Sequence, residues 1–270
     1  MSASTAAIAA ANFAVNAADR AFARPSEPSP HSVGPPDAAA QFPSLAKLQR
    51  AFALATVSEG RVIEKSFEMA LLQIPHFHVL GKRRVVVTEG DRALALRNAH
   101  NGLGGIEPPA ATDPVDTAEI DCVAVDRRTA VLLLCDMKRS VSVGDTDAAA
   151  FVEACLGAHR NVQRSGIRFA QFKPLRIRWF APRDGLPPNF VGREAVDEAL
   201  KASVRDVVDH AIAAYRKRFA ERLKAILSEG SHSQLSAPPD EAAPPTPRFA
   251  FDPEALSRAF NQGARFPRGA

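Results

Sequence analysis

The strongest constraint on the fold is a pair of short apolar segments near the middle of the chain, separated by a polar break. The first segment begins at Glu119 and Asp121, and the second ends at Asp136 and Lys138. The residues between them, Asp-Arg-Arg-Thr at 126–129, have the composition of a tight turn. Two apolar segments joined in this way predict a β-hairpin with acidic groups at one end.

The spacing of the polar residues places them on one face of this hairpin. Side chains alternate between faces along a strand, so Glu119 shares a face with Asp121, and Asp136 with Lys138. If the strands pair across a two-residue turn after Asp126, all four polar side chains lie on the same face, and a register shifted by two residues preserves this. The opposite face is predicted to be a buried apolar lining of Ile120, Cys122, Ala124, Val131, Leu133, Cys135 and Met137.

The charged face is compatible with a metal site. Carboxylates held close together repel one another, and a lysine buried beside them is costly without compensation. Mg²⁺ prefers oxygen ligands, and a neighbouring lysine can orient or deprotonate the attacking water, or neutralise charge developing on a phosphate. A simpler interpretation is that Glu119 and Asp136 cap an exposed strand edge and that Lys138 is paired with one of them.

These two segments resemble the core of a nuclease superfamily. Residues 118–125 (AEIDCVAV) and 130–139 (AVLLLCDMKR) are similar to the PD-(D/E)xK, or restriction-endonuclease-like, superfamily. The resemblance implies that Asp121 and Asp136 bind the metal and that Lys138 is the catalytic lysine. It also implies hydrolysis of DNA phosphodiester bonds with Mg²⁺ or Mn²⁺ as the cofactor.

The same resemblance implies further acidic groups around the metal. Glu119 matches an extra acid two residues before the metal-binding aspartate, which places it among the metal ligands. The superfamily commonly adds a glutamate from the helix before the sheet, and Glu64 or Glu68 fits that role. The helical spacing of Glu64 to Phe67 and Leu71 slightly favours Glu64. A non-catalytic nucleic-acid-binding or assembly module with the same fold is the alternative function, and a helical interaction protein with an incidental hairpin is a third.

The order of the predicted elements favours an α/β fold, with a mixed central β-sheet flanked by α-helices. Hydrophobic periodicity and breaker residues predict helices at 44–55, 59–73, 91–100 and 145–164, a strand at 84–88 before the hairpin, and a strand at 175–180 after it. Residues 101–117, rich in Gly and Pro, are predicted to form a loop beside the site.

The two ends differ in composition from the middle. Residues 1–42 and 231–270 are rich in Ala, Ser and Pro and are predicted to be disordered, which leaves a nuclease-like domain at 43–230. Within these ends, a transient helix is predicted at 6–23 and a short terminal helix at 252–260. This domain includes a long helix predicted at 193–227, with a continuous apolar stripe. The stripe has two interpretations. It either packs on the domain itself or pairs with a second copy or a protein partner.

Basic residues are concentrated in one part of the chain, although the formal net charge is only +4. No acid occurs between Glu153 and Asp184, and further basic clusters lie at 82–84 and 138–139. This distribution indicates either a solvated basic face or a path for a nucleic-acid backbone. The predicted nucleic-acid-binding residues are Arg139, Arg160, Arg164, Lys173, Arg176 and Arg178.

Composition also predicts the cellular setting. The chain has 3 cysteines and no C-x-x-C motif, which favours buried thiols in a reducing cytoplasm. No stretch of eighteen apolar residues occurs, so we expect no membrane span. The Ala-rich start lacks the basic region and the continuous apolar core of a secretory signal. We therefore expect a cytoplasmic protein with a nucleic-acid partner.

Overall fold

The chain forms a mixed β-sheet with helices on both faces, an α/β fold, as the order of predicted elements indicated. The structure is a computed structural model that describes residues 3–23, 43–98, 113–139, 145–181, 186 and 190–234. Neighbouring strands follow chain order: β1 (Phe77–Thr88), β2 (Pro114–Asp126), β3 (Val131–Lys138), β4 (Gln171–Arg178) and β5 (Phe190–Gly192). The first three strands pair antiparallel, whereas β3, β4 and β5 are parallel.

Six α-helices accompany the sheet in the described residues: α1 (Ala3–Phe22), α2 (Pro43–Leu72), α3 (Glu89–Asn98), α4 (Asp145–Arg164), α5 (Val196–Leu200) and α6 (Arg205–Gln234). The predicted helix at 145–164 is confirmed as α4. The two helices predicted at 44–55 and 59–73 are instead one continuous helix, α2. The residues at the expected break, Thr-Val-Ser at 56–58, include no proline or glycine that would interrupt a helix.

The N-terminal helix α1 is part of the folded domain, which corrects the prediction of disorder for residues 3–22. Its buried side chains are almost all alanines, such as Ala10 and Ala14, so its backbone can approach α2 and α6 closely. The carboxylate of Asp19 binds Arg218 at 2.9 Å and Arg222 at 2.6 Å. Small side chains therefore pack through close approach where their composition alone suggested a disordered segment. Residues 24–42 and 235–270 lie outside the described part.

Two hydrophobic cores lie on opposite faces of the sheet. The first core fills the space between the sheet and α1, α2 and α6, and the second lies between the sheet and α4. Most of the predicted apolar lining of the hairpin is buried in the first core: Cys122, Ala124, Leu133, Cys135 and Met137. Ile120 is the exception, because it is buried in the second core with Val123.

A bulge in β2 explains the position of Ile120. Gly81 of β1 pairs with Val123 of β2, and two residues later Arg83 pairs with Ile120. Only Lys82 lies between the paired β1 residues, whereas β2 has two residues there. An extra residue reverses the alternation of side chains. After the bulge the even-numbered residues of β2 face the first core, and before it the even-numbered Ile120 faces the second core.

Gly81, which precedes the bulge, cannot readily be replaced. Its φ of +71° lies in the left-handed region, which glycine tolerates best. A Cβ at this position would also lie 3.2 Å from Oε1 of Glu68 on α2. The backbone of β1 therefore passes close to α2 next to the bulge.

The two strands of the hairpin pair in a register that is shifted by two residues from the predicted one, which had a two-residue turn. Asp126 pairs with Val131, so the turn has four residues, at 127–130. The Asp126 carboxylate closes it by accepting hydrogen bonds from the Arg128 N–H and the Thr129 hydroxyl, both at 3.0 Å. A shift of two residues preserves the faces, so Asp121 still lies next to Asp136 and Lys138. The bulge, however, reverses the alternation before it, and this corrects the prediction that Glu119 shares their face.

The C-terminal helix predicted at 193–227 is broken in two. After α5, Lys201 adopts a left-handed conformation with φ +53°. Asp197 then accepts hydrogen bonds from the backbone N–H groups of Val204 (2.8 Å) and Arg205 (2.9 Å), and so caps the start of α6. The apolar stripe of α6 is buried inside the first core, with Tyr215 and Phe219 among its members. The stripe therefore serves folding of the chain itself, and its residues do not form the exposed face that an oligomer contact requires.

In the described ranges, no helix combines enough length and apolar character to cross a bilayer.

Candidate functional site

Two carboxylates from neighbouring strands share one lysine at the end of the hairpin ladder. The Nζ atom of Lys138 lies 2.9 Å from Oδ1 of Asp136 and 3.5 Å from Oδ2 of Asp121. The Oδ2 atom of Asp121 also accepts a hydrogen bond of 2.8 Å from the backbone N–H of Met137. Asp121 is thus oriented by the β3 backbone, while its side chain is almost fully buried.

A second lysine, Lys82 at the bulge, joins the other acids to this pair. Its Nζ atom lies 3.1 Å from Glu119, 3.6 Å from Asp121 and 3.7 Å from Glu64. Sequence reasoning noted the basic cluster at 82–84 but did not assign Lys82 to the site. The available signal was the glycine immediately before it, because Gly81 marks a distortion of the strand that re-aims the next side chain.

Of the two candidate glutamates on α2, Glu64 is the one that reaches this cluster. Burial raises the pKa of Glu64, and repulsion from the Asp121 carboxylate raises it further, against the opposing effect of Lys82 and Lys138. Glu68 lies one turn further along α2, where its carboxylate pairs with Lys65 at 3.0 Å and faces Gly81. The structure therefore brings Glu64 into electrostatic contact with the aspartates, and Glu68 has another partner.

Asp136 is held in its ionised form by cations on two sides. Arg178 Nη1 lies 2.9 Å from Oδ2 of Asp136, and Arg176 Nε lies 3.8 Å from the same oxygen. Burial on its own raises the pKa of Asp136, but the charges of Lys138 and Arg178 outweigh burial and hold the pKa below its usual range. Both arginines also pack against the ring of Phe190, at 4.5 and 4.8 Å from its centroid.

The charge state of Lys138 decides which chemistry it can perform. Burial lowers the pKa of Lys138, but attraction to Asp136 and Asp121 is stronger and raises the pKa above its usual value. The group is therefore a cation at neutral pH. As a cation it can orient a water molecule or stabilise negative charge on a phosphate, whereas removing its proton in this arrangement is unfavourable.

The arginines predicted to bind nucleic acid do not form one surface path. Arg160 is buried in an ion pair with Asp91, and Arg139 pairs with the buried Glu59. Buried charges require partners, and these partners are distant in sequence. The residues that the structure removes from the predicted path are Arg139, Arg160, Arg176 and Arg178.

Two of the predicted basic residues are exposed. Arg164 lies on the surface of α4. Lys173 donates a hydrogen bond of 2.8 Å to the carbonyl of Ala199. The stretch from Arg160 to Arg178 therefore supplies separate exposed cations in place of a continuous basic face.

The ligand types at the site suit a hard divalent cation, although the side chains are not arranged as a ready-made metal centre. Within the described ranges, no three His, Cys, Asp or Glu side chains form a group that could hold a metal ion. The groups that approach one another are carboxylates, which Mg²⁺ prefers, and Mg²⁺ commonly takes only one or two of them. Asp121 is central, because it shares Lys138 with Asp136 and Lys82 with Glu64.

Comparison with known proteins gives no match to this chain among protein-family models, curated proteins or solved structures. The resemblance of residues 118–125 and 130–139 to the PD-(D/E)xK superfamily therefore stays a prediction from sequence.

Proposed function

We propose that this chain is a metal-dependent nuclease that hydrolyses DNA phosphodiester bonds, with a restriction-endonuclease-like PD-(D/E)xK core. The observation that supports the proposal is the convergence of Glu64 from α2, Asp121 from β2 and Asp136 from β3 around two lysines. A surface ion pair needs one acid and one base and contributes little to stability. An arrangement in which acids from three elements share lysines is better explained by chemistry on an anionic substrate.

In this proposal each residue has a separate role. Asp121 and Asp136 would hold Mg²⁺ or Mn²⁺, with Glu64 and Glu119 beside them. A metal bound there would supply Lewis-acid polarisation of the phosphate and a more acidic water ligand. The Met137 N–H fixes the orientation of Asp121 before substrate arrives.

The basic residues support the same chemistry. Lys138, whose side chain is 52% exposed, can turn from the carboxylates to a phosphate and stabilise the charge that develops there. Arg178 and Arg176 keep Asp136 ionised, which is the form that a metal requires.

One observation favours a second function, a non-catalytic nucleic-acid-binding module. Both oxygens of Asp136 are already engaged, Oδ1 by Lys138 and Oδ2 by Arg178. Four carboxylates in the cluster also face four basic side chains, so the charges balance without a metal. In that case the cluster would be a structural ion network, and nucleic acid would bind without being cleaved.

Cleavage of a labelled DNA duplex in Mg²⁺, Mn²⁺ or EDTA tests the proposal. We expect cleavage that requires the metal and falls at least about 100-fold in Asp121→Asn, because a buried ligand and charge are lost while the shape is kept. Asp116→Asn, an exposed acid on the same strand, is the matched control and should cleave normally. On α2, Glu64→Gln should impair cleavage more than Glu68→Gln.

The outcomes separate the two functions. Equal rates in Asp121→Asn and Asp116→Asn would contradict the nuclease proposal. Calorimetry that detects no Mg²⁺ binding, together with DNA binding and no cleavage, would favour the non-catalytic module.

A further inference from the structure

Three consecutive basic side chains are exposed on the edge strand of the sheet. Lys82, Arg83 and Arg84 follow Gly81 in β1, and all three face solvent. In a regular strand on a two-sided core, one residue of such a run would point inward. Here the distortion at Gly81 and the bulge opposite Lys82 interrupt the regular pairing. The edge strand therefore presents a continuous basic segment that begins inside the acid cluster.

The two arginines of this segment differ from the buried arginines because no carboxylate neutralises them. Among the described residues, neither Arg83 nor Arg84 has a carboxylate within ion-pair distance. Arg84 donates hydrogen bonds to the Thr117 hydroxyl at 2.9 and 3.1 Å. Glu119 lies opposite Arg84 in the register, but its carboxylate binds Lys82 at 3.1 Å. The two guanidinium groups therefore keep their full positive charge for an external partner.

Arg83 and Arg84 also line a groove between β1 and the C-terminal half of α4. The groove has a volume of about 300 Å³, and its walls include Val85, Asn161 and Ile167. None of its described lining residues is acidic. Next to the groove, a Cβ at Gly157 of α4 would lie 2.7 Å from the Val86 carbonyl, so the helix and the strand are in tight contact there.

We propose that β1 and the C-terminal half of α4 form the surface that binds the phosphodiester backbone of nucleic acid. Arg83 and Arg84 are the phosphate contacts, and Lys82 connects them to the acid cluster. The proposal rests on the proposed nuclease function, because it names the substrate-binding side of the same site. Lys82 and Arg84 are about 7 Å apart along the strand, so a backbone bound at Arg84 lies close to the carboxylates.

A different role for the three cations must be distinguished by experiment. Exposed charges on an edge strand can protect the sheet from pairing with another chain. Protection predicts association of the chain when the charges are removed, whereas phosphate binding predicts loss of affinity for DNA with a smaller salt dependence.

The test is fluorescence anisotropy of a labelled DNA duplex in EDTA, at several salt concentrations, with the full chain. Arg83→Glu/Arg84→Glu is expected to weaken binding at least about tenfold and to reduce the slope of log Kd against log salt by about 2. Lys217→Glu/Lys224→Glu on α6 makes the same change in net charge on exposed side chains away from the groove. This control should shift Kd less than about threefold, since it removes no direct phosphate contact.

Each outcome decides the proposal. Binding by the Arg83/Arg84 variant equal to that of the control overturns it, as does unchanged binding with larger species in light scattering. If the charge reversal impairs folding, Arg83→Ala/Arg84→Ala compared with Lys217→Ala/Lys224→Ala provides the same comparison. Because binding is measured in EDTA, it does not depend on cleavage. DNA binding that the Arg83/Arg84 variant loses, together with no cleavage by the wild type in Mg²⁺, would defeat the nuclease proposal but support this surface. Wild-type cleavage with unaffected binding in the variant would overturn this surface alone.

Discussion

Two groups of acids in the described part of the chain differ in the cations that they contact. Asp91 is fully buried, and it is enclosed by the guanidinium group of Arg160 and by the N–H and hydroxyl of Thr88. Asp121 and Asp136 instead share Lys138, which is half exposed to solvent. An acid that serves folding is thus closed off by rigid donors, whereas an acid of the site contacts a cation that can move.

The Asp91 arrangement shows what the first group contributes. Thr88 caps α3, and Asp91 hydrogen-bonds back to the Thr88 N–H at 2.8 Å, as in a capping box. Burial raises the pKa of Asp91, but hydrogen bonds from Arg160 and Thr88 outweigh it and lower the pKa. Arg160 thereby fastens α4 to the start of α3. The pair is structural, although sequence alone suggested a nucleic-acid contact.

The second group contains cations of a different kind. Lysine carries a compact, hydrated charge on a flexible stem, whereas arginine binds carboxylates through a planar fork. Lys82 and Lys138 have side chains 48% and 52% exposed, so each can exchange its carboxylates for a ligand. Asp136 belongs to both groups, because Arg178 fixes one of its oxygens and Lys138 contacts the other.

The largest effect on stability is expected from breaking the buried ion pair between Asp91 and Arg160. Arg160→Ala leaves the Asp91 carboxylate buried without its cation, and we expect the free energy of unfolding to fall by about 3–5 kcal/mol. Arg164→Ala, one turn further along α4 and exposed, should change it by less than about 0.5 kcal/mol. Chemical denaturation measures both. Similar values for the two variants would show that Asp91 and Arg160 do not form a structural pair.

The corresponding change in the site should affect chemistry and leave folding nearly intact. Lys138→Met keeps the stem but removes the charge, and we expect cleavage to fall at least about 100-fold. Its free energy of unfolding should change by less than about 1 kcal/mol, because half-exposed ion pairs contribute little.

Lys65→Met is the control for this change, because Lys65 is a partly exposed lysine that pairs with Glu68. It should cleave DNA at the wild-type rate. A Lys138→Met variant that is strongly destabilised would place Lys138 among the folding residues and remove the contrast between the groups.

A smaller effect on stability is expected for Asp197, whose carboxylate accepts hydrogen bonds from backbone N–H groups at the start of α6. Asp197→Ala removes the cap of α6, and we expect a loss of about 1 kcal/mol in the free energy of unfolding. Asp206→Ala, in the first turn of the same helix but 89% exposed, should cost only a few tenths of a kcal/mol. Thermal unfolding followed by circular dichroism compares them. A larger loss in Asp206→Ala would show that the helix dipole matters more than the cap.

The smallest effect concerns the pH dependence of stability. The pKa values of two acids of the site are shifted in opposite directions, so the two acids change the stability with pH in opposite directions. The pKa of Glu64 is raised above 4.5, so its favourable contribution is present below that pH and is lost as pH rises through the folded-state pKa. The pKa of Asp136 is lowered below 3.8, so its contribution is present above that pH and is lost as pH falls.

Glu64→Gln should therefore be slightly more stable than the wild type at pH 7 and equally stable near pH 4. Urea denaturation at the two pH values measures the difference. A variant less stable than wild type at pH 7 would mean that the ion pair with Lys82 outweighs the cost of burying Glu64.

Much of the site was accessible from local sequence. The alternation of polar and apolar residues placed Asp121, Asp136 and Lys138 on one face, because a two-residue error in register does not change faces. The helical periodicity of 145–164 gave α4 its bounds. These features depend only on neighbours within a few residues along the chain.

The remaining features depend on contacts between distant segments, which sequence patterns do not encode. The sequence predicts Arg160 and Arg178 to be surface cations, whereas each is buried against an acid from a distant or neighbouring segment. The role of Lys82 depends on a bulge formed by two strands, and the packing of α1 depends on alanines that give no amphipathic signal of large side chains. The break after α5 required a capping acid seven residues before the N–H that it binds.

The bulge beside Lys82 has a consequence for how this chain tolerates insertions and deletions. It marks a phase boundary: on one side of it odd-numbered residues of β2 face α4, and on the other side even-numbered residues do. Deleting one residue there would give both halves of β2 the same alternation of side chains. Along one half, the side chains would then move to the opposite face of the sheet. The acid cluster lies at this boundary. Changes in chain length should therefore accumulate in the turns and ends of the domain, while the spacing from Gly81 to Arg83 and from Ile120 to Val123 stays fixed.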